Sequence, residues 1–321
     1  MAQFIKTIQN FAFVNNLWEK NSKIIIGVSG GSDSACLLDI LAKLKPKYKF
    51  ELHIVHINYA LRGEYSQKDE IFVKELSKKY NIPSTVFKPK KADYKGNLEN
   101  NLREIRYAFF EKMRLELGFD LVAVAHNQDD QAETVLMRIM RGSGLSGLSA
   151  MKAKTKKIIR PLLQTSKKDI LAYVKENKLK YRTDKSNSDT KFTRNNIRHK
   201  LLPYLEKNFN PTIKKTLSDW SQSVADDYAF IEQEAQCFVG LVCKNKYAHF
   251  SVKEFEQLHM SIQRQVLRNV TQQLKNTAKD VESKQIEEMI KLIKSVKSKD
   301  QKALICGLNI SKKGGKVDIR C

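Results

Sequence analysis

The sequence predicts an α/β fold in which a doubly wound, mostly parallel sheet is followed by a smaller, mainly helical C-terminal domain. In the first 210 residues, short apolar runs alternate with amphipathic segments of helical length. That alternation is typical of a parallel sheet covered by helices on both faces. Later in the chain, apolar residues follow helical spacing. We therefore predict two domains, 1–210 and 211–321, divided at Asn210-Pro211.

Each predicted strand is a short apolar run, and each predicted helix repeats apolar residues every three or four positions. An opening helix at the N-terminus comes first. The predicted strands then cover 23–28, 50–56, 85–87 and 120–125, and the predicted helices cover 34–44, 66–79, 97–117 and about 128–140. A hairpin is predicted for 303–321, around Lys312-Lys313-Gly314-Gly315. In such parallel sheets, ligands bind beyond the carboxyl ends of the strands.

The charge of the chain points to a polyanionic partner, either a nucleic acid or an anionic membrane surface. Fifty-eight Lys and Arg residues stand against 35 Asp and Glu, a net charge of +23. Residues 1–150 contain 22 basic and 17 acidic residues, a net charge of +5. Residues 151–200 contain 16 basic and 4 acidic residues, a net charge of +12. Residues 201–321 contain 20 basic and 14 acidic residues, a net charge of +6. Lysine-rich surfaces also serve solubility, but that explanation does not account for a net +12 within fifty residues.

The five cysteines are scattered and form no Cys-x-x-Cys or His/Cys metal spacing. That pattern favours a reducing cytoplasm and argues against a zinc or iron–sulfur site built by this chain alone. No apolar run approaches the roughly 20 residues of a membrane span. The N-terminal segment also lacks the pattern of a secretory signal. We therefore expect a cytoplasmic protein with no membrane partner.

A glycine-rich loop, residues 29–34 (SGGSDS), follows the first predicted strand. We call these residues the phosphate loop. Its glycines allow a close backbone approach, and its N–H groups at a helix start attract phosphate oxygens. An ordinary strand–helix turn capped by serine and aspartate could have the same sequence. The Walker A lysine and the G-x-G-x-x-G spacing are both absent.

A second group of polar residues, HNQDDQAET at 126–134, follows the predicted strand 120–125. On a helix, Asp129 and Asp130 share a face with Glu133. We call these three residues the carboxylate cluster. Their mutual repulsion favours a nearby cation, such as Mg²⁺, an arginine or a substrate ammonium group. A solvated helix start with acidic residues near the positive end of the dipole is the alternative. The glycine-rich segment RGSGLSGL at 141–148 comes next.

The phosphate loop resembles the PP-loop (SGGxDS) of the N-type ATP pyrophosphatases, which split ATP into AMP and pyrophosphate. Together with HNQDDQAET and RGSGLSGL, it resembles the tRNA(Ile)-lysidine synthetase family. Further segments fit that family in order, namely HINYALR at 56–62, the helix with Glu99, Arg103, Arg106 and Tyr107, IRPLL at 159–163, and DKSN at 184–187 through RNNIRH at 194–199 to Leu202-Pro203. Tyr59 stands where the family commonly has His. The resemblance is close over about 20–210 and loose beyond.

The resemblance implies an adenine nucleotide alpha hydrolase-like fold and a two-step ligase reaction. ATP adenylates the C2 oxygen of the wobble cytidine, position 34, of a tRNA-Ile with a CAU anticodon, and the amine of free L-lysine then displaces AMP. Mg²⁺ would assist, with Asp33 as the metal-binding residue. The implied ATP-binding residues are Ser29, Gly30, Gly31, Ser32, Asp33, Ser34, His56, His126 and Gly144.

Roles in the chemistry follow from the charge that each step requires. Departing pyrophosphate needs cations, for which Arg106 is the candidate on this chain. Asp130 and Glu133 suit the binding of lysine's ammonium group and removal of its proton. The catalytic residues of this hypothesis are Asp33, Arg106, Asp130 and Glu133, and its tRNA-binding residues are Arg103, Arg194 and Arg198. The target base must leave its stack to react.

Other functions stay open on the sequence alone. A PP-loop tRNA thiolase is the nearest alternative, although such enzymes generally need catalytic or cluster-binding cysteines, and Cys36 has an apolar, core-like position. A non-enzymatic ATP- or RNA-binding protein on the same scaffold would not need the carboxylate cluster. Some family members carry an additional C-terminal domain, and the region after residue 210 is short here, which leaves tRNA discrimination open. The oligomeric state, a homodimer included, is also undetermined.

Overall fold

The computed structural model describes residues 2–61, 63–90, 98–182, 193–244, 246–276, 281–296 and 300–321. Arg62, the segment 184–187 and the side chain of Glu99, which carry part of the family resemblance, lie outside that description. The chain forms two compact units, Met1–Ser223 and Val224–Cys321. One helix, Ile213–Val242, contains the division. The predicted domain boundary at residue 210 lies just before this helix and stays a prediction.

The first unit contains a six-stranded sheet with the order β3-β2-β1-β4-β6-β5. Its strands are β1 (Lys23–Gly27), β2 (Glu51–Ile57), β3 (Ser84–Phe87), β4 (Leu121–Ala123), β5 (Lys154–Thr155) and β6 (Ile158–Ile159). The neighbouring pairs from β3 to β6 are parallel, and β5 is antiparallel to β6. The predicted fold class is therefore confirmed. Strands β5 and β6 were not predicted, because two residues are too few to show a period.

The helices of the first unit precede, connect or follow these strands. They are α1 (Ala2–Val14), α2 (Ser32–Tyr48), α3 (Glu64–Tyr80), α4 (Leu98–Glu116), α5 (Gln128–Met140), α6 (Leu145–Leu148), α7 (Lys167–Glu176), α8 (Thr193–Asn196), a π-helical turn (Ile197–Leu201), α9 (Leu202–Asn208) and the start of α10 (Ile213–Val242). The opening helix and the four later helices predicted up to residue 140 are all present. Their ends differ from the predicted ones by up to four residues.

Both faces of the sheet are covered, as the apolar strands predict. On one face Ile24 and Ile26 of β1 are fully buried within a cluster that also includes Leu37 of α2. On the other face Ile25 packs in a second cluster with Phe110 of α4. Gly27 permits this packing, since a Cβ there would lie 2.7 Å from the Phe110 ring.

The strand order places a topological switch point between β1 and β4. From β1 the chain continues to β2 and β3 on one side of the sheet, and it returns to β4 on the other side. Ile26 of β1 pairs with Ala123 of β4, so the two strands end side by side. Ligands of open α/β sheets bind in the crevice at this point. The phosphate loop follows β1, and residues 126–134 follow β4.

The second unit combines helices with an antiparallel sheet. Its helices after α10 are α11 (Val252–Gln257), α12 (Met260–Lys275) and α13 (Ser283–Lys294), and its strands are β7 (Cys243–Lys244), β8 (Tyr247–Ser251), β9 (Gln301–Ile305), β10 (Leu308–Lys313) and β11 (Lys316–Arg320). The predicted hairpin is β10–β11. It belongs to a five-stranded sheet, β7-β8-β11-β10-β9, whose other strands were not predicted. In the described part of the chain, no helix combines the length and apolarity of a membrane span.

Candidate active site

The phosphate loop is a tight turn held by its own serine hydroxyls. The Ser29 amide donates to Ser34 Oγ at 3.2 Å, Ser34 Oγ donates to the Gly31 carbonyl at 3.0 Å, and the Gly31 amide donates to Ser29 Oγ at 3.3 Å. Gly30 has φ +92°, a conformation that favours glycine. Helix α2 begins at Ser32, and none of the described side chains caps it. Its N–H groups and positive dipole end are therefore suited to phosphate oxygens.

Lys167 contacts this loop through its side-chain ammonium group. Its Nζ donates to Ser32 Oγ at 2.8 Å and to Asp33 Oδ1 at 2.5 Å. Burial raises the pKa of Asp33, and the neighbouring ammonium group opposes that shift. Lys167 was not among the residues predicted from the sequence. Two features of the sequence indicate a role for this lysine. It directly follows Ser166, the N-cap residue of α7, and it lies in the most basic part of the chain.

The start of α5 gives the carboxylate cluster its geometry. Asn127 and Asp130 form a capping box, with Asp130 N donating to Asn127 Oδ1 and Asn127 N donating to Asp130 Oδ2, both at 3.1 Å. Glu133 follows one turn later and is completely buried. A buried carboxylate requires charged or hydrogen-bonding partners.

Two arginines supply those partners. The Nε atoms of Arg194 and Arg198 donate to Glu133 at 2.7 Å and 2.5 Å, and their terminal nitrogens donate to Asp130 Oδ1 at 3.0 Å and 2.9 Å. Burial raises the pKa of Asp130, but the nearby positive charges outweigh it and hold that pKa below its usual range. The cation expected beside the carboxylates is therefore present within the chain. Two of the three predicted tRNA-binding arginines, Arg194 and Arg198, therefore form one cluster with the predicted lysine-binding carboxylates.

Asp129 has a different set of partners from the other two acidic residues. Its Oδ1 accepts from the Lys167 amide at 3.0 Å, and its Oδ2 pairs with Lys214 Nζ at 3.0 Å. The contact with Lys167 joins the start of α5 to the start of α7. The charges of Asp130 and Arg198 in turn act on Asp33. The N-terminal ends of α2, α5 and α7 therefore meet around the phosphate loop and the carboxylate cluster.

His126, which is partly buried, and Arg160, which is buried, lie beside this cluster. Burial lowers the pKa of His126, so its imidazole is neutral at pH 7. Its Nδ1 has no hydrogen-bond partner among the described residues, and the same holds for Arg160 Nε. Buried polar atoms almost always have partners, so these two atoms are suited to contacting a ligand. The positive charges of Arg160 and Arg103 both act on His126.

The structure also shows the local contacts of His56, Arg106 and Arg103. Nδ1–H of His56 donates to the Val28 carbonyl at 2.8 Å, beside the entry to the phosphate loop. Arg106 Nε donates to the Tyr59 hydroxyl at 3.1 Å. Arg103 lies over the ring of Tyr107 at 5.1 Å.

The segment after α5 bends at its glycines. Gly144 precedes α6, and nothing lies within 4 Å of a Cβ built there, so no steric demand for glycine exists at this position. Gly147 differs, because a Cβ there would lie 2.4 Å from Cβ of Ser143. The close turn therefore depends on Gly147, which our site prediction did not include.

Residues 2–205 match the family model described as the PP-loop domain. A tRNA(Ile)-lysidine synthase of Clostridium tetani is 36% identical over 296 residues, which cover 90% of this chain and 62% of that relative. Another, from Clostridium perfringens (strain ATCC 13124), is 37% identical over 254 residues, which cover 78% of this chain and 54% of that relative. The chain thus spans less than two thirds of the length of these relatives.

Among solved structures, a U34-tRNA thiolase from Methanococcus maripaludis aligns with a TM-score of 0.58 at 21% identity, over 70% of this chain and 79% of that one. At that identity the match shows a common fold. The family model covers more than half of the chain, and the SGGSDS loop lies at the strand–helix turn beside the switch point. This chain therefore belongs to the PP-loop domain family.

Proposed function

We propose that this chain synthesises lysidine on a tRNA. In this reaction ATP adenylates the C2 oxygen of the wobble cytidine of a tRNA-Ile with a CAU anticodon, and free lysine then displaces AMP. The observation that carries the proposal is the meeting of the phosphate loop at one switch point with Asp130 and the fully buried Glu133. The relatives from Clostridium tetani and Clostridium perfringens are both named tRNA(Ile)-lysidine synthase, which supports the proposal.

The first step requires a site for the departing pyrophosphate. The cytidine oxygen attacks the α-phosphorus, the bond from that phosphorus to the β-phosphate oxygen breaks, and pyrophosphate leaves. The N–H groups at the start of α2 and the Lys167 ammonium group would bind its oxygens. Because Lys167 contacts the phosphate loop directly, we assign it the cationic role first proposed for Arg106. Arg106 remains a candidate for a second cation.

Mg²⁺ fits this site through Asp33. Among the described residues, no group of three or more His, Cys, Asp or Glu side chains could hold a metal ion without further ligands. Mg²⁺ in nucleotide sites usually binds one or two carboxylates together with substrate phosphates, so a single carboxylate at the phosphate loop is adequate. When bound, the ion would neutralise charge on the pyrophosphate oxygens.

The second step requires an amino acid to be held beside the adenylated base. The cluster of Asp130, Glu133, Arg194 and Arg198 presents both signs of charge. We propose that the carboxylates bind an ammonium group of lysine and accept its proton, and that the arginines bind its carboxylate or an RNA phosphate. The amine nitrogen then bonds to C2, the C2–O bond breaks, and AMP leaves.

The thiolase alternative receives no support from the cysteines. Cys36 is fully buried, and burial raises the pKa of its thiol, which disfavours the reactive thiolate. The other four cysteines lie in the second unit, between residues 237 and 321. All five are free thiols, which is consistent with the reducing cytoplasm in which we propose that the enzyme acts.

The test is incorporation of radiolabelled lysine into a tRNA with a CAU anticodon, with and without ATP and Mg²⁺. We expect incorporation that depends on ATP, and its loss in Asp130→Ala and Glu133→Ala while tRNA binding persists. Glu51→Ala is the matched control, because Glu51 lies at the amino end of β2 and pairs with Lys23. No incorporation by folded wild-type protein would exclude the proposal, and incorporation of sulfur from a sulfur donor would indicate a thiolase.

A further inference from the structure

Two large aromatic side chains stand exposed on and just after α9. Tyr204 is 57% exposed and Phe209 is 71% exposed. Their ring centroids are 5.8 Å apart, with planes inclined by 59°. Aromatic side chains of this size usually contribute to a core. An adjacent exposed pair therefore indicates a binding surface, and we call it the aromatic pair.

The segment that carries the aromatic pair is basic. Glu206 is the one acidic residue in the sequence from 193 to 212, and it pairs with Lys214 at 3.2 Å. Lys200 and Lys207, by contrast, are exposed. A ring surface with lysines beside it is complementary to a single nucleic-acid strand, whose bases stack while its phosphates meet cations. Lysine is depleted at the centre of protein–protein interfaces, which makes a protein partner less suitable.

The aromatic pair is also continuous with the candidate active site. Arg194 and Arg198, which hold Asp130 and Glu133, belong to α8 and the π-helical turn that leads directly into α9. Tyr204 follows Arg198 by six positions, an advance of about 9 Å along a helix. A strand whose nucleotide reacts at the carboxylates would therefore extend over this surface.

We propose that Tyr204 and Phe209 stack unpaired bases next to the target nucleotide, while Lys200 and Lys207 contact the phosphates between them. This inference rests on the proposed function for the identity of the RNA. It gives the aromatic pair a role in holding the loop open after the target base leaves its stack. Stacking tolerates any base, so the aromatic pair would contribute affinity and leave sequence discrimination to other contacts.

The test measures the dissociation constant of an anticodon stem-loop RNA at fixed salt for Tyr204→Ala and Phe209→Ala. Each substitution is expected to weaken binding about tenfold, the usual scale for one base–aromatic contact. Tyr204→Phe and Phe209→Trp keep a ring and should bind like the wild type. Phe13→Ala is the matched control, because Phe13 is 82% exposed on α1. Thermal melting of each variant verifies folding.

The outcomes separate this inference from the proposed function. Alanine variants that bind the stem-loop as tightly as the wild type would overturn the stacking role, even if the wild type incorporates lysine. Weaker binding by those variants, together with no lysine incorporation by any protein, would support stacking and refute the proposed reaction. Unchanged RNA binding with reduced self-association in sedimentation velocity would show that the aromatic pair is an interface between copies.

Discussion

At the scale of single residues, Lys167 contacts both the phosphate loop and the carboxylate cluster. It contacts Ser32 and Asp33 through Nζ and Asp129 through its backbone amide. One residue thus connects the phosphate loop to the carboxylate cluster. A lysine ammonium is a compact charge suited to phosphate oxygens, and its contact with Asp33 stabilises the partly buried carboxylate.

We expect Lys167→Ala to lower kcat/KM for ATP about 100-fold, the scale for losing one group that stabilises developing charge. Steady-state kinetics with varied ATP would measure this. Lys168→Ala is the matched control, since Lys168 is the next residue and is exposed. Equal rates for the two variants would show that Lys167 has no part in phosphate binding.

At the scale of elements, α2 and α7 are joined at two levels. Asp33 of α2 meets Lys167 of α7 near the helix starts, and six residues later Asp39 meets Tyr173 at 2.6 Å. The Tyr80 hydroxyl and Lys43 Nζ also bind Asp39, each at 2.9 Å. Asp33 and Asp39 are six residues apart on α2, and Lys167 and Tyr173 are six residues apart on α7. The contacts of Asp39 therefore fix the register between the two helices that brings Lys167 to the phosphate loop.

We expect Asp39→Ala to lower the free energy of unfolding by about 2 kcal/mol, since hydroxyls buried against a charged group would lose their acceptor. The variant should also raise KM for ATP. Urea unfolding and kinetics would measure the two effects. Tyr173→Phe should show a smaller loss, and Tyr181→Phe, at an exposed tyrosine, should show none. A stable Asp39→Ala protein with normal KM would contradict the register argument.

Glu70 of α3 gives the loop after β2 a pH dependence. Its carboxylate accepts from Lys74 and Lys88 at 2.8 Å and from Asn58 at 2.9 Å. Hydrogen bonds from the two lysines lower the pKa of Glu70 to about 2. The charged form is thus favoured in the folded protein, so its contribution to stability is present above about pH 4.5 and is lost as the pH falls toward 2.

We therefore expect Glu70→Gln to be less stable than the wild type at pH 7, with a difference that shrinks as the pH falls from 4.5 toward 2. Urea unfolding of both proteins at several pH values would measure it. The difference is reduced by solvent screening of the two half-exposed lysines. A difference that stays constant from pH 7 to pH 3 would show that the carboxylate charge has no role.

At the scale of the whole molecule, the positive charge is distributed unevenly along the chain. Residues 1–150, with a net charge of +5, contain the phosphate loop and the carboxylate cluster. Residues 151–200, with a net +12, contribute Lys167, Arg194 and Arg198 to the same site. Part of that basic excess therefore neutralises carboxylates within the protein, and we expect the rest to contact RNA phosphates in the proposed reaction.

We expect tRNA binding to weaken steeply with salt, because each neutralised phosphate releases counterions. Six or more phosphate contacts would reduce the affinity about 1,000-fold between 50 and 200 mM salt. ATP, which carries far fewer charges, should lose much less affinity. Titrations of both ligands over that range would measure the slopes. Similar slopes for tRNA and ATP would contradict an extended phosphate-binding surface.

The sequence by itself determined the alternation of strands and helices, and so the parallel sheet, because periodicity reports local burial. It also determined that the SGGSDS loop and the carboxylate cluster follow strand ends. The tertiary structure alone decided which cations meet these groups. Lys167 is 134 residues from Asp33, and Arg194 is 61 residues from Glu133. Such pairings depend on how helices distant in the chain pack against each other, which no local pattern encodes.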